Sequence, residues 1–153
     1  MAIWFDDLQV GDTVRFGHYE VTREEVVEFA SKYDPQPFHM DDEAAARSIF
    51  GKVAASGWHT TAMTMRMQVD YWKETGMDKA SVGGAGMEEL RWTRPVYPGD
   101  ILSCETEILE LTASRSKPDR GFVKSRWTTF NQNDEPVMTV TSLGIFLRRP
   151  LDT

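Results

Sequence analysis

The chain has 153 residues, a formal net charge of -7 and a pI near 4.9. That balance excludes a general nucleic-acid or anionic-membrane binder, whose affinity rests on a basic surface, but leaves room for an anionic small ligand held by a few local cations. A hydrophobic content of 41% excludes a disordered chain, and the length suits one domain over residues 1–153.

Cys104 is the only cysteine, so no intrachain disulfide can form and a reducing compartment is expected. The start, Met1 to Asp7, turns acidic at once and lacks the basic and apolar regions of a secretory signal. No run approaches the length of a membrane span. A soluble, cytoplasmic protein is the expectation.

In chain order, residues 13–21 alternate as a first strand with a slip near Gly17. Thr22-Arg23-Glu24-Glu25 has the pattern of a capping box, with Thr22 as N-cap and Glu25 reaching back. The helix that follows carries Val26, Val27, Phe29, Ala30 and Tyr33, and must stop near Asp34 because Pro35 disfavours a helical residue before it. Asp34 to His39 forms a stiffened loop. Asp41 or Asp42 caps a short helix expected to run through Ala44, Ala45, Ala46 and Ile49 to Gly51.

Ser56-Gly57 opens the longest helical pattern, from Trp58 to about Glu74, apolar around much of its circumference and therefore expected in the core. Four strand-like runs follow over 86–96, 101–114, 121–131 and 136–147, parted by turn residues. Short connections imply antiparallel neighbours. The class is α+β, with an antiparallel sheet wrapped around one buried helix.

Asp34 and His39 are the strongest candidates for chemistry. The prolines at 35 and 37 restrict the loop, so both side chains can be held at little entropic cost. A histidine passes protons near neutral pH, and a neighbouring carboxylate can act as a second acid–base group or fix its tautomer. By spacing alone, Asp34 could equally cap the loop and His39 pack at the surface. Ser56-Gly57 suits a developing oxyanion, because helix-start N–H groups are free and glycine admits a ligand close to the backbone. A plain N-cap is the simpler reading of those two residues.

Three segments resemble one family. Tyr33-Asp34-Pro35-Gln36-Pro37-Phe38-His39-Met40-Asp41 is similar to the hydratase signature of MaoC-like dehydratases and (R)-specific enoyl-CoA hydratases. Ala55-Ser56-Gly57 falls where that family has its oxyanion glycine, and 91–100 (RWTRPVYPGD) resembles its strand–turn segment. The resemblance spans residues 5 to 148. It implies the hot-dog fold, usually as a homodimer, with Asp34 and His39 as the hydration dyad. Gly57 would supply an oxyanion N–H, with Ser56 and Gln36 beside the substrate. The implied reaction adds water to, or removes it from, an acyl-CoA or acyl-carrier-protein thioester, without metal or redox cofactor. Tyr33 and Gln36 depart from the family's usual Gly and Asn. Some members carry a helix serine that supports the catalytic Asp; Thr60, Thr61 and Thr64 are the candidates for that hydroxyl here.

Two other functions fit the same fold: a thioesterase using an acidic residue to activate water, and a non-catalytic acyl-CoA-binding subunit. Retention of both Asp34 and His39 favours hydration. The bulk of Trp58 and His59 after Gly57 suggests a restricted acyl pocket. His59 could line that pocket or simply pack, Glu24, Glu25 and Glu28 read as a solvated helix face, and the methionines of the long helix read as core filler. Arg115 and 117–120 form the most basic stretch and could touch CoA phosphates. Cys104 has no local partner and is expected to be inert.

Overall fold

The computed structural model describes residues 1–151. The main elements are β1 (Thr13–Glu20), α1 (Arg23–Tyr33), α2 (Asp42–Ala46), α3 (Gly57–Thr75), β2 (Ser81–Trp92), β3 (Ile101–Ala113), β4 (Arg120–Phe130) and β5 (Pro136–Leu147). The strands form one antiparallel sheet in the order β1-β3-β4-β5-β2. α3 packs on its concave side, burying Met63 and Met67 with Leu102, Trp127, Met138 and Val140. This is the wrapped α+β architecture expected from the hydropathy pattern. No helix among the described residues is long and apolar enough to cross a membrane.

Only one face of α3 is buried, not most of its circumference. His59, Thr60, Met63, Thr64, Met67 and Gln68 point inward, whereas Trp58 and Met65 are exposed. Two of the inward polar side chains bond to the sheet. Thr64 Oγ1 lies 2.7 Å from Thr129 Oγ1, and Gln68 Nε2 donates to Thr106 Oγ1 at 2.8 Å. Leaving either unpaired would cost about 1–3 kcal/mol, so these bonds fix the register of the helix on the sheet.

Four local expectations change. α2 ends at Ala46, and Ile49 projects into solvent. Thr22 accepts from the Glu25 N–H (3.2 Å), but the Glu25 carboxylate bonds elsewhere, so only half of the capping box forms. β2 begins at Ser81 rather than Gly86 and ends at Trp92 rather than Val96. The segment before Gly86 lies outside the expected strand, yet pairing with β5 carries the strand through Gly83 and Gly84 by register shifts. Finally, the turn at 97–100 does not close a hairpin, because β2 and β3 are not neighbours. Residues 93–100 instead cross past the start of α3, where the Ala55 N–H donates to the Val96 carbonyl (2.8 Å). Curvature of the sheet makes so short a crossing feasible.

The slip in β1 is real: its register with β3 shifts between Phe16 and Tyr19. Gly17 has φ +91°, and an added β-carbon would lie 2.6 Å from Met67 Sδ. Gly17→Ala should therefore destabilise the protein by about 2–4 kcal/mol, summing backbone strain and overpacking. Chemical denaturation checks this; a loss near zero would mean that neither the bulge nor Met67 constrains the site.

Candidate active site

Asp34 is placed by the end of α1. Its N–H caps the helix on the Ala30 carbonyl (2.9 Å), and its backbone leaves the helical region before Pro35. Residues 37–39 then form a single tight turn with Pro37 at its start, which brings His39 back beneath Asp34. The sequence alternative of a surface-packed histidine fails, since His39 is buried against Phe38 and near Phe50.

The dyad is joined. His39 Nε2 lies 3.2 Å from Asp34 Oδ2. His39 Nδ1 lies 2.6 Å from the Ala54 carbonyl oxygen. A carbonyl only accepts, so Nδ1 carries the proton and Nε2 is the nitrogen left to exchange protons on the Asp34 side.

Three groups converge on the Asp34 carboxylate. Gln36 Nε2 donates to Oδ1 at 2.6 Å, Ser56 Oγ donates to Oδ2 at 2.7 Å, and His39 approaches Oδ2. Burial pushes the acid upward, but the hydrogen bonds from Gln36 and Ser56 and the His39 interaction outweigh it and hold Asp34 below its ordinary value. Asp34 is therefore a carboxylate throughout the neutral range. Gln36 and Ser56, expected beside a substrate, commit their side chains to Asp34 instead. Ser56 also settles which hydroxyl supports the acid. Thr60, Thr61 and Thr64 all bond to backbone carbonyls one turn earlier on α3, and none bonds to Asp34.

Ser56 is at once the N-cap of α3, accepting from the Trp58 N–H at 3.3 Å. The next residue, Gly57, is the first of the helix, and its N–H has no acceptor among the described residues. The helix start thus presents a free donor with the positive end of the dipole behind it, next to the Asp34–His39 pair.

A second cluster had no short-range signal. His59 is buried one turn into α3, with Nε2 3.2 Å from Glu25 Oε1 and its ring stacked on Phe29. Tyr19 donates its hydroxyl to the same Glu25 oxygen. Glu25 stays partly exposed, but its carboxylate is committed to Tyr19 and His59, and His59 pairs with Glu25 instead of either dyad member. Burial raises Glu25, but the bonds from Tyr19 and His59 bring it below its ordinary value. Burial, then the Glu25 carboxylate, push the Tyr19 phenol up to about 12. Burial holds His59 below its ordinary value despite Glu25. Its Nδ1 has no partner among the described residues, so a proton there would find no acceptor. Glu25 sits on α1 and His59 on α3, so this contact clamps together the two helices that carry Asp34 and Ser56.

The basic stretch at 115–120 lies at the far end of β3 from the dyad, and Arg120 is paired with Asp119. Cys104 is fully buried, and burial pushes its thiol up to about 12, as an inert core residue requires.

The chain belongs to the MaoC-like domain family, whose model matches residues 7–128. Its structure is the hot-dog fold of that family. Among solved structures, the MaoC-like dehydratase from Rhodospirillum rubrum is 42% identical, with a TM-score of 0.88 over 98% of this chain and 100% of that one. The Bacillus subtilis (strain 168) protein YdeM is 27% identical over 94% of this chain and 98% of its own length. The 3-hydroxybutyryl-CoA dehydratase of Methylorubrum extorquens is 29% identical over 76% of this chain and 70% of that protein. Family and relatives support a hydratase or dehydratase class of activity.

The His59 cluster carries a pH consequence. His59 is held lower in the folded than in the unfolded protein, so its contribution to stability is complete above the unfolded value. It is lost as pH falls from about 6.5 toward the folded value, because the unfolded chain takes up the proton first. Acidification across that window should lower the urea midpoint more in the wild type than in His59→Gln. Equal losses would show that His59 is not held neutral.

Proposed function

We propose that the protein hydrates a 2-enoyl thioester, or dehydrates the 3-hydroxyacyl thioester, on coenzyme A or an acyl carrier protein. The observation that carries this reading is the ionised Asp34, joined to the Nε2 of His39 and adjacent to the free N–H of Gly57. In hydration, a water held beside the contacting Asp34 and His39 side chains gives a proton to Nε2, and its oxygen bonds to C3. The C2–C3 π electrons move to C2 and on to the thioester oxygen, where the Gly57 N–H stabilises the enolate charge. The enolate then collapses, and C2 takes the proton from Nε2. One water is added, and the dyad returns to its starting state. Dehydration reverses each step.

Asp34 serves as the counter-charge to the transient imidazolium, which is why the two donors that hold it ionised, Gln36 and Ser56, matter. A hydrolytic thioesterase needs no proton delivered to C2, and the Asp34–His39 pair with a downstream helix-start glycine favours hydration over it. No metal or redox cofactor enters this scheme; the thioester is the activating group.

Asp34→Asn and His39→Ala should each lower kcat/KM by about 10²–10⁴-fold on a trans-2-enoyl-CoA, with the far-ultraviolet circular dichroism of the folded protein retained. Loss of enoyl absorbance without release of free thiol supports hydration. Thiol release would favour the thioesterase, and activity unchanged in both variants would favour a site elsewhere.

The working unit in this reading is a homodimer joined along β2. That strand is an edge of the sheet, exposed on both faces over most of its length, with Val82 and Met87 outward and Met87 near the exposed Met65 of α3. So long an unpaired edge invites pairing with another strand. Light scattering should give twice the monomer mass for the wild type and the monomer mass for Val82→Lys/Met87→Lys. A monomeric wild type would overturn the dimer.

A further inference from the structure

The glycine at 57 calls for an explanation that the backbone does not provide. Its φ is not among the positive ones, and it sits in an ordinary helical first turn. What requires glycine is space. A β-carbon built there would fall inside the indole of Trp92, with Cε3 only 2.8 Å away.

Trp92 closes β2, and its ring lies flat against the start of α3. It is 44% exposed but fixed at several points. Its Nε1–H donates to Thr61 Oγ1 at 3.2 Å, and Thr61 in turn donates to the Gly57 carbonyl at 2.9 Å. The ring of Trp58 meets it edge-on, with centroids 5.1 Å apart and planes at 80°. Trp58 itself therefore supports Trp92 and is turned largely outward.

A thioester oxygen bound to the Gly57 N–H would sit about 2.9 Å from that nitrogen, with its carbon roughly one ångström further. An indole resting on the adjacent Cα is then within van der Waals reach of the thioester and of the carbon next to it. The ring is held by its hydrogen bond to Thr61 and by packing on Trp58 and the start of α3, so it cannot yield cheaply to added bulk. We infer that Trp92 is the specificity-determining wall of the thioester slot, admitting unbranched 2-enoyl groups and excluding a substituent on C2. The inference rests on the reading of Gly57 as oxyanion donor.

Two measurements on the full-length protein test it. In the first, kcat/KM is compared for an unbranched trans-2-enoyl-CoA and its 2-methyl analogue. One methyl group in a tight pocket is worth about 10–200-fold. The wild type should prefer the unbranched substrate by at least about tenfold, and Trp92→Ala should remove most of that preference, with Trp92→Phe between them. In the second, thermal melts of Gly57→Ala, Trp92→Ala and the double variant form a cycle. Gly57→Ala should destabilise strongly in the presence of Trp92 and little in its absence.

A wild type that hydrates both substrates equally, or a preference unchanged in Trp92→Ala, overturns the inference alone. A wild type that hydrates neither overturns the functional reading and this inference with it. Additive melts would show that Trp92 does not occupy the Gly57 side-chain space, and would also overturn it.

Discussion

The hydrogen bond from Ser56 to Asp34 joins the two helices on which the site depends. Asp34 ends α1, and Ser56 begins α3. One hydroxyl caps the long helix and holds the acid, so the free N–H of Gly57 and the dyad carboxylate are set at a fixed separation. The carboxylate is largely removed from water, and burial alone would favour its neutral form. Donors from Gln36 and Ser56 reverse that preference. Without them burial would move the carboxyl up from its ordinary value.

The rest of the structure serves that joint. The sheet holds α3 by a buried face that mixes methionines with threonine, glutamine and histidine, most of whose side chains make hydrogen bonds. Apolar contacts supply attraction without direction, whereas the Thr64–Thr129 and Gln68–Thr106 bonds fix rotation and register. The Glu25–His59 contact does the same between α1 and α3. The 93–100 connection passes the start of α3, so the end of β2 reaches the same place as the dyad. It brings Trp92 onto Gly57.

Much of this was legible in the sequence wherever the cause is local. Pro35 stops α1 at Asp34, Pro37 starts the turn that returns His39, and Gly17 marks the slip in β1; each acts through its own backbone. The strands over 101–147 were legible too, because a half-buried strand alternates and its turns carry their own residues. The glycine-rich start of β2 was not, since only its pairing with β5 makes it a strand. The half-formed capping box has a similar cause: Glu25 bonds across to β1 and α3 in preference to its own helix end.

The sequence by itself determined the class of fold, the loop holding Asp34 and His39, and the glycine at the start of the long helix, because hydropathy period, proline geometry and helix capping act over a few residues. Only the tertiary structure decided which hydroxyl serves Asp34, why His59 stays neutral and what fills the space beside Gly57. Those depend on Ser56, Glu25 and Trp92 arriving from elements far apart in the chain, at distances set by packing and by no spacing along it.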